Sequence, residues 1–180
     1  MSRNADQLAT RERVIAALSR IIGLPLTASR RAADMRTFQF GQLRPVDRGS
    51  VGDFALHVQC PWRIEGPDGI VTGRLDLWEP VEDNAPYDKN WDHEKSPNLQ
   101  DALVKQWLAE NELVVTNVDA DEFGGAAISF RQGFVLRLFP AGTRGEDWRS
   151  FQPTSGARHL VISGGAVERD EERDITNGLS

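Results

Sequence analysis

Cysteine is nearly absent from the sequence, since Cys60 is the only one in 180 residues. A single thiol rules out an intrachain disulfide framework, so the fold must rely on a hydrophobic core, and a chain of this length can bury one. Such low cysteine use is typical of proteins in a reducing compartment. It favours a cytoplasmic location.

Long apolar runs are also missing. No stretch reaches the roughly 20 apolar residues that a membrane-spanning helix needs. The most apolar N-terminal segment, from Val14 to Leu24, is interrupted by Ser19, Arg20 and Gly23 and carries no signal-peptide cleavage pattern. The sequence therefore predicts no membrane partner.

Basic residues are too few for a typical nucleic-acid-binding protein. The chain has 21 Lys and Arg against 27 Asp and Glu, which gives a net charge of −6. A nucleic-acid binder normally carries a basic face, so we expect no nucleic acid among the ligands. The same negative charge permits a protein partner with a basic surface.

The common catalytic and cofactor motifs are absent as well. The sequence has no phosphate loop, dinucleotide fingerprint, nucleophile elbow or HExxH helix. Its three histidines and Cys60 do not show the spacing of zinc ligands. We predict no catalytic residue, no metal and no cofactor, although missing motifs lower the odds of an enzyme without excluding one.

An N-terminal amphipathic helix is the first element present. Apolar residues recur at helical spacing from Val14 to Ile22, which predicts a helix over about residues 6–22 that ends at Gly23. This helix either lies on the sheet or mediates a homodimer. A second, shorter helix is predicted over residues 29–35.

The clearest strand pattern covers residues 54–64, where every second residue is apolar. Gly66-Pro67-Asp68-Gly69 predicts a turn into a returning strand over residues 70–78. Pairing Glu65 with Ile70 keeps the apolar residues of both strands on one face. That register predicts three opposed pairs: Trp62 with Gly73, Cys60 with Leu75, and Val58 with Leu77.

The rest of the chain predicts one more helix and further strands. A helix should run from Ser96, as N-cap, to about Glu110. A three-residue loop over residues 131–133 predicts a hairpin in which Phe130 faces Phe134. Other strands are predicted over residues 37–44, 113–118 and 160–162.

Together these elements predict an α+β fold, mostly an antiparallel sheet of hairpins with an N-terminal helix and one central helix. A single domain should cover residues 1–167, of which residues 1–27 form the N-terminal helical segment. Residues 168–180 have little to bury and are predicted to be a disordered acidic tail.

One face of the predicted hairpin collects five polar side chains: His57, Gln59, Arg63, Arg74 and Asp76. They alternate with apolar residues, so the register above brings them to one surface. Such a set can bind an anionic ligand, or support acid–base chemistry through His57 and Asp76. The alternative is a solvent-facing sheet surface with ordinary cross-strand polar pairs.

Residues 79–95 form a long acidic segment that also contains aromatic residues. A connection of this length is typical of a functional or a disordered loop. Its carboxylates must face water or a cationic partner, and its spacing does not match a calcium-binding loop. Because exposed aromatic residues are frequent at interfaces, we predict four partner-binding residues here: Tyr87, Asp88, Trp91 and Asp92.

Three motifs resemble an uncharacterised family of small bacterial proteins. They are MRTFQFG at residues 35–41, LHVQCPWRI at residues 56–64 and EDWR at residues 146–149. The resemblance covers about residues 30–165 and implies a bacterial origin and one domain, with no catalytic residues. A looser similarity, to the immunity proteins of bacterial toxin systems, implies a protein-binding role by analogy alone.

Two classes of function remain open. The first is a non-enzymatic binding or accessory protein, immunity-like, that acts through the acidic loop. The second is a small-molecule-binding domain or an enzyme that uses the polar hairpin face. A deep pocket that encloses this face favours the second class, whereas a flat face beside a protruding loop favours the first.

Overall fold

Two α-helices and thirteen strands make up the described part of the chain. The computed structural model describes residues 2–84, 86 and 88–168, with side chains from residue 8 onward. The helices are α1 (Ser2–Leu18) and α2 (Leu99–Glu110). The strands are β1 (Leu26–Ala32), β2 (Met35–Phe40), β3 (Arg44–Val46), β4 (Gly49–Val51), β5 (Phe54–Val58), β6 (Trp62–Gly66), β7 (Gly69–Gly73), β8 (Val115–Ala120), β9 (Ala126–Phe130), β10 (Val135–Leu138), β11 (Glu146–Phe151), β12 (Leu160–Ser163) and β13 (Ala166–Val167).

Eleven of the described strands form two antiparallel sheets around one core, and β3 and β4 pair as a separate two-stranded sheet. The first sheet has the order β1-β2-β5-β11-β12-β13, and the second has the order β7-β6-β10-β9-β8. The apolar faces of both sheets contribute to one continuous cluster of buried side chains. This arrangement confirms the predicted single-domain α+β fold with an N-terminal and a central helix.

The segment predicted as one strand over residues 54–64 contributes to both sheets. Its alternate apolar residues are buried from Leu56 to Ile64, as predicted. The strand breaks at residues 59–61, however, where the backbone N–H groups of Gln59 and Cys60 both donate to the Asp147 carbonyl at 2.9 Å. β5 therefore belongs to the first sheet and β6 to the second.

The predicted register of the first hairpin is wrong beyond its turn. Glu65 pairs with Ile70 as expected, but a bulge follows, and Gly73 faces Arg63 rather than Trp62. The strand then ends, and residues 74–78 form a 3-10 helix. Leu75 is 78% exposed instead of facing Cys60.

The Asp76 carboxylate explains this change of direction. It accepts hydrogen bonds from the Thr72 hydroxyl at 2.7 Å and from the Gly73 N–H at 3.0 Å. These bonds cap the 3-10 helix, so the backbone leaves β7 too early for the predicted pairs of Leu75 and Leu77 to form. Leu77 is nevertheless fully buried, in the helical turn rather than in a strand.

The second hairpin confirms its predicted register. The Phe130 N–H donates to the Phe134 carbonyl at 2.8 Å, and Leu136 faces Ile128 across the pair. Gln132 has a φ of 66° in the three-residue loop. The left-handed residues in this loop let it reverse the chain without shifting either strand.

The short helix predicted over residues 29–35 is wrong. These residues belong to β1 and to the start of β2, which pair through Arg31 and Arg36. Ala33 turns the chain with a φ of 52°. Alanine and arginine favour helices locally, but pairing with β2 overrides that preference.

The two α-helices cover the open sides of the sandwich. α1 packs against β8 and β13, while α2 packs against β1, β7 and residues 74–78. Val14, Leu18 and Ile21 at the end of the N-terminal helical segment are buried in the core, in line with a helix that lies on the sheets. Each helix thus packs against one edge strand of each sheet.

α2 begins later than predicted. Its N-cap is Asn98 rather than Ser96, because the Asn98 side-chain oxygen accepts the Asp101 N–H at 2.8 Å. Ser96 instead closes the preceding turn through its backbone N–H, which donates to the Asp92 carbonyl at 2.7 Å.

The remaining predictions for the C-terminal part fall in two groups. β8 and β12 are present where strands were predicted, each with shifted ends. The predicted acidic tail lies outside the described residues, apart from the exposed Glu168. None of the helices in the described ranges is long and apolar enough to cross a membrane.

Candidate functional site

A cleft lies where the acidic segment leaves the core after residue 78 and returns at α2. Both ends of the segment are fixed, because the Leu99 N–H donates to the Glu79 carbonyl at 2.9 Å and Pro80 forms a bridge with Asn98. The segment therefore forms a closed loop on the surface. We refer to the space inside it, between Trp78 and Leu99, as the loop cleft.

The loop cleft has a volume of about 760 Å³, and six of its twelve described lining residues are apolar. Trp78 is 43% exposed, and Trp91 is half-buried. A cleft of this size, with aromatic side chains still open to water, is suited to an incoming side chain or ligand. The apolar lining consists of Trp78, Pro80, Val81, Pro86, Trp91 and Leu99.

Carboxylates surround this apolar lining. Glu79, Glu82 and Asp83 line the loop cleft, and none of them has an ion-pair partner among the described residues. Lys89 is the only basic side chain in the described part of the lining. The cleft therefore has a negative electrostatic character and unused acceptors.

Two of the predicted partner-binding carboxylates hold the loop in shape. Asp88 accepts the Asn90 N–H at 2.8 Å, and Asp92 accepts the Glu94 N–H at 2.9 Å. Asp92 also pairs with Lys95 at 3.0 Å. The Glu94 N–H, and then Lys95, hold the pKa of Asp92 below its ordinary value. Asp92 is thus already engaged within the loop.

Of the other two predicted partner-binding residues, the structure describes Trp91 but not Tyr87. Trp91 is half-buried and lines the loop cleft. Its backbone N–H donates to the Asp88 carbonyl at 3.1 Å. Tyr87 lies outside the described residues. The prediction missed Trp78, which precedes the acidic segment and lines the same cleft as Trp91. An aromatic residue at each end of the acidic segment was the available signal.

The loop is also connected to the first sheet. The His93 carbonyl accepts hydrogen bonds from the Arg31 guanidinium at 3.1 Å and from the Asn98 amide at 3.4 Å. The His93 ring lies 5.9 Å from the Trp78 ring. These contacts hold the rim of the loop cleft against β1 and α2.

The five polar residues predicted to share a hairpin face are spread over the molecule. His57 lies on β5 in the first sheet, with its ring 4.7 Å from that of Phe151, which in turn stacks on His159 at 4.5 Å. Burial lowers the pKa of His57, and Arg149 lowers it further. His57 is therefore a packed surface histidine beside the Arg149–Glu146 pair.

Arg74 and Gln59 do meet, although through the backbone. The Arg74 guanidinium donates to the Gln59 carbonyl at 2.6 Å and to the Asp34 carboxylate at 2.6 Å. It also lies 5.7 Å from the centre of the Trp78 ring. Arg74 thus joins the strand break after β5 to the wall of the loop cleft.

Arg63 and Asp76 lie apart from these residues. Arg63 pairs with Glu65 at 2.7 Å and lies 5.0 Å from the Phe139 ring, in the second sheet. Asp76 caps the 3-10 helix, as described above. The bulge in β7 and the strand break after β5 separate the five side chains, so they do not form one polar site.

Neither a reactive thiol nor a metal cluster is evident in the described ranges. Burial raises the pKa of the Cys60 thiol to about 12, and Asp147 adds to this shift. Within residues 2–84, 86 and 88–168, no group of three or more His, Cys, Asp and Glu side chains could hold a metal ion. The loop cleft is the arrangement best suited to ligand binding on this side of the molecule.

Comparison with known proteins found no matching family model, no similar curated protein and no similar solved structure. The resemblance of the three sequence motifs to a family of small bacterial proteins therefore stays a prediction. The similarity to immunity proteins also stays a prediction, and function has to be argued from the geometry of the site.

Proposed function

We propose that the protein is a non-enzymatic binding protein whose loop cleft takes a basic segment of a protein partner. The observation that carries this proposal is the combination of two tryptophans with four carboxylates that have no ion-pair partner among the described residues: Glu79, Glu82, Asp83 and Asp88. An immunity-like inhibitor of a toxin with a basic surface is one form of it.

The chemistry of the cleft suits a lysine or arginine side chain. The aliphatic part of such a side chain packs on tryptophan, and its charge is attracted by the aromatic face. Carboxylates at the rim then meet the charged end and any neighbouring basic residues. The Arg74 guanidinium lies 5.7 Å from the Trp78 ring centre, and Trp78 is still 43% exposed, so part of the ring stays open to a second cation.

The loop cleft also has the composition of an interface centre. Interface centres are rich in tryptophan, tyrosine and arginine, and a few buried aromatic residues supply most of the binding energy. Binding would remove the exposed parts of Trp78 and Trp91 from water. Because both ends of the loop are held by hydrogen bonds, little further ordering is needed on binding.

The experiment measures binding of a short, capped, labelled peptide rich in lysine and arginine by fluorescence anisotropy. We expect binding that weakens with salt and is lost when the lysines are acetylated and the arginines replaced by citrulline. The Glu82→Gln/Asp83→Asn double variant should bind more slowly and show a smaller salt dependence.

Glu122→Gln is the matched control, since Glu122 is an exposed carboxylate far along the chain from the loop. Equal weakening in this control and in the double variant would mean a nonspecific charge effect and would overturn the proposal. So would binding of the neutral peptide as tight as that of the basic one.

A further inference from the structure

A second groove lies on the other side of α2, along β1. It has a volume of about 790 Å³ and is bounded by residues 27–31 of β1 on one side and by α2 on the other. Val104, Leu108 and Ala109 of α2 give it an apolar wall. We refer to this space as the β1 groove.

The charge of the β1 groove is opposite to that of the whole protein. Arg30, Arg31, Arg36 and Lys105 line it, together with one carboxylate, Asp101. Four basic groups against one acidic group give a local excess of three positive charges in a chain of net charge −6. Such a concentration of charge attracts an anionic segment.

Asp101 is already shared by two of these arginines. It lies 3.0 Å from Arg31 and 2.5 Å from Arg36, and the Asn98 amide donates to it at 2.8 Å. The carboxylate is therefore fully occupied. Arg30 lies on the opposite face of β1, where it donates to the Ser50 carbonyl and hydroxyl. Lys105 is exposed, so its charge is available to a ligand in the groove.

Two buried polar atoms at the β1 groove lack hydrogen-bond partners among the described residues. They are the Ser29 hydroxyl oxygen and the Arg36 Nε. Arg36 is only 3% exposed, so its Nε is a desolvated donor beside the groove. The register pairs Arg31 with Arg36 and Ser29 with Phe38, which places these side chains on the face of β1 turned to α2. Unsatisfied buried donors favour a bound acceptor.

Among the described residues, no strand pairs with residues 27–32 of β1 on the side away from β2. β1 is the edge strand of the first sheet and pairs only with β2 in its sheet. An edge strand presents alternate N–H and C=O groups that an extended peptide can pair with. The site therefore fits an extended strand, and its positive charge favours a strand that carries carboxylates.

We infer that the β1 groove binds an acidic, extended segment of a protein partner, which adds a strand to β1 and places its carboxylates against Arg31 and Lys105. Backbone hydrogen bonds to β1 supply the alignment, and the charges supply selectivity for acidic residues. This site is separate from the loop cleft and does not depend on it.

The test uses a labelled, capped peptide of alternating glutamate and valine, with the full-length protein and fluorescence anisotropy as the readout. We expect it to bind, while the peptide with lysine in place of glutamate does not. The acidic peptide with every backbone nitrogen methylated keeps its charge but loses its donors, so it should bind at least about tenfold more weakly.

The Lys105→Glu variant should also bind the acidic peptide at least about tenfold more weakly. The matched control is Arg13→Glu, an exposed charge reversal on α1. It should leave the affinity unchanged, and far-UV circular dichroism should show all variants folded.

Three results would overturn the inference. The first is no binding of the acidic peptide at low salt. The second is equal affinity for the acidic peptide and its methylated form, or displacement of the acidic peptide by inorganic phosphate alone. Either outcome would mean that the groove is a simple anion site. The third is an equal loss of affinity in the Arg13→Glu control.

Discussion

The sheet sandwich and the loop cleft are held in different ways. In the sandwich, Phe38, Phe40 and Trp148 are fully buried, and each strand is paired along its length. In the loop, short turns closed by Asp88 and Asp92 hold the backbone, and two tryptophans stay partly exposed. A buried side chain in the sandwich therefore contributes to stability, whereas a partly exposed side chain in the loop can still contact a partner.

The largest expected effect is in the sandwich, at Trp62. Its ring packs edge-on against Phe38, with centroids 5.5 Å apart. Trp62→Ala should lower the free energy of unfolding by about 3–5 kcal/mol, through lost burial and the cavity left behind. Chemical denaturation measures this change. Trp62→Phe is the control and should cost less, because the indole N–H has no partner among the described residues; an equal cost would contradict this packing.

The next effect is at Asp101, where the sandwich meets α2. Asp101→Asn leaves Arg36 buried without its carboxylate and should cost about 2 kcal/mol, less than a fully buried pair because Asp101 is part-exposed. Burial works to raise the pKa of Asp101, but Asn98, Arg36 and Arg31 together hold it below its ordinary value.

The pH dependence of Asp101 follows from the sign of this shift. A lowered pKa in the folded state stabilises the protein above the ordinary carboxyl range, and this contribution is lost as the pH falls through the folded-state pKa. Unfolding measured from neutral to acidic pH should therefore show the wild type and Asp101→Asn converging in acid. A constant difference at every pH would contradict the assignment.

Trp91 should behave in the opposite way to Trp62. Because it is only half-buried in a loop, Trp91→Ala should change the free energy of unfolding by less than about 1 kcal/mol. Binding of the basic peptide should weaken by about tenfold, since a cation–aromatic contact contributes about 1–2 kcal/mol. A large drop in melting temperature with unchanged binding would instead make Trp91 a structural anchor of the loop.

The smallest expected effect is at Leu75. This side chain is 78% exposed, whereas its neighbour Leu77 is fully buried. Leu75→Ser should change the stability by no more than about 0.5 kcal/mol, while Leu77→Ala should cost about 2–5 kcal/mol. A large loss of stability in Leu75→Ser would contradict the exposed position of Leu75 and support the continuous strand that alternation alone predicted.

The two hairpins show where sequence patterns suffice and where they do not. For β9–β10, the loop residues and the apolar alternation predict the same register, and it is the one observed. For β6–β7, the turn is correct but the Thr72–Asp76 hydrogen bond bends the chain. A hydrogen bond between two side chains leaves no periodic pattern in the sequence, so alternation alone predicted a strand that is too long.

The site was partly predictable for similar reasons. Composition and length located the acidic loop and Trp91, both properties of the local sequence. The β1 groove was missed, because β1 resembles a helix locally and gains its structure from pairing with β2. Arg36 did carry a signal, since it shares the strand face of Phe38 and Phe40, where a charge needs a buried partner.

The Asp147 carbonyl, which accepts the N–H groups of both Gln59 and Cys60, also bears on cooperativity. These two bonds lie where a single segment passes from the first sheet into the second, so neither sheet can separate without breaking them. The sandwich should therefore open as one unit rather than sheet by sheet. The amide protons of Gln59 and Cys60 then exchange with solvent only through global unfolding, although the Gln59 side chain is exposed.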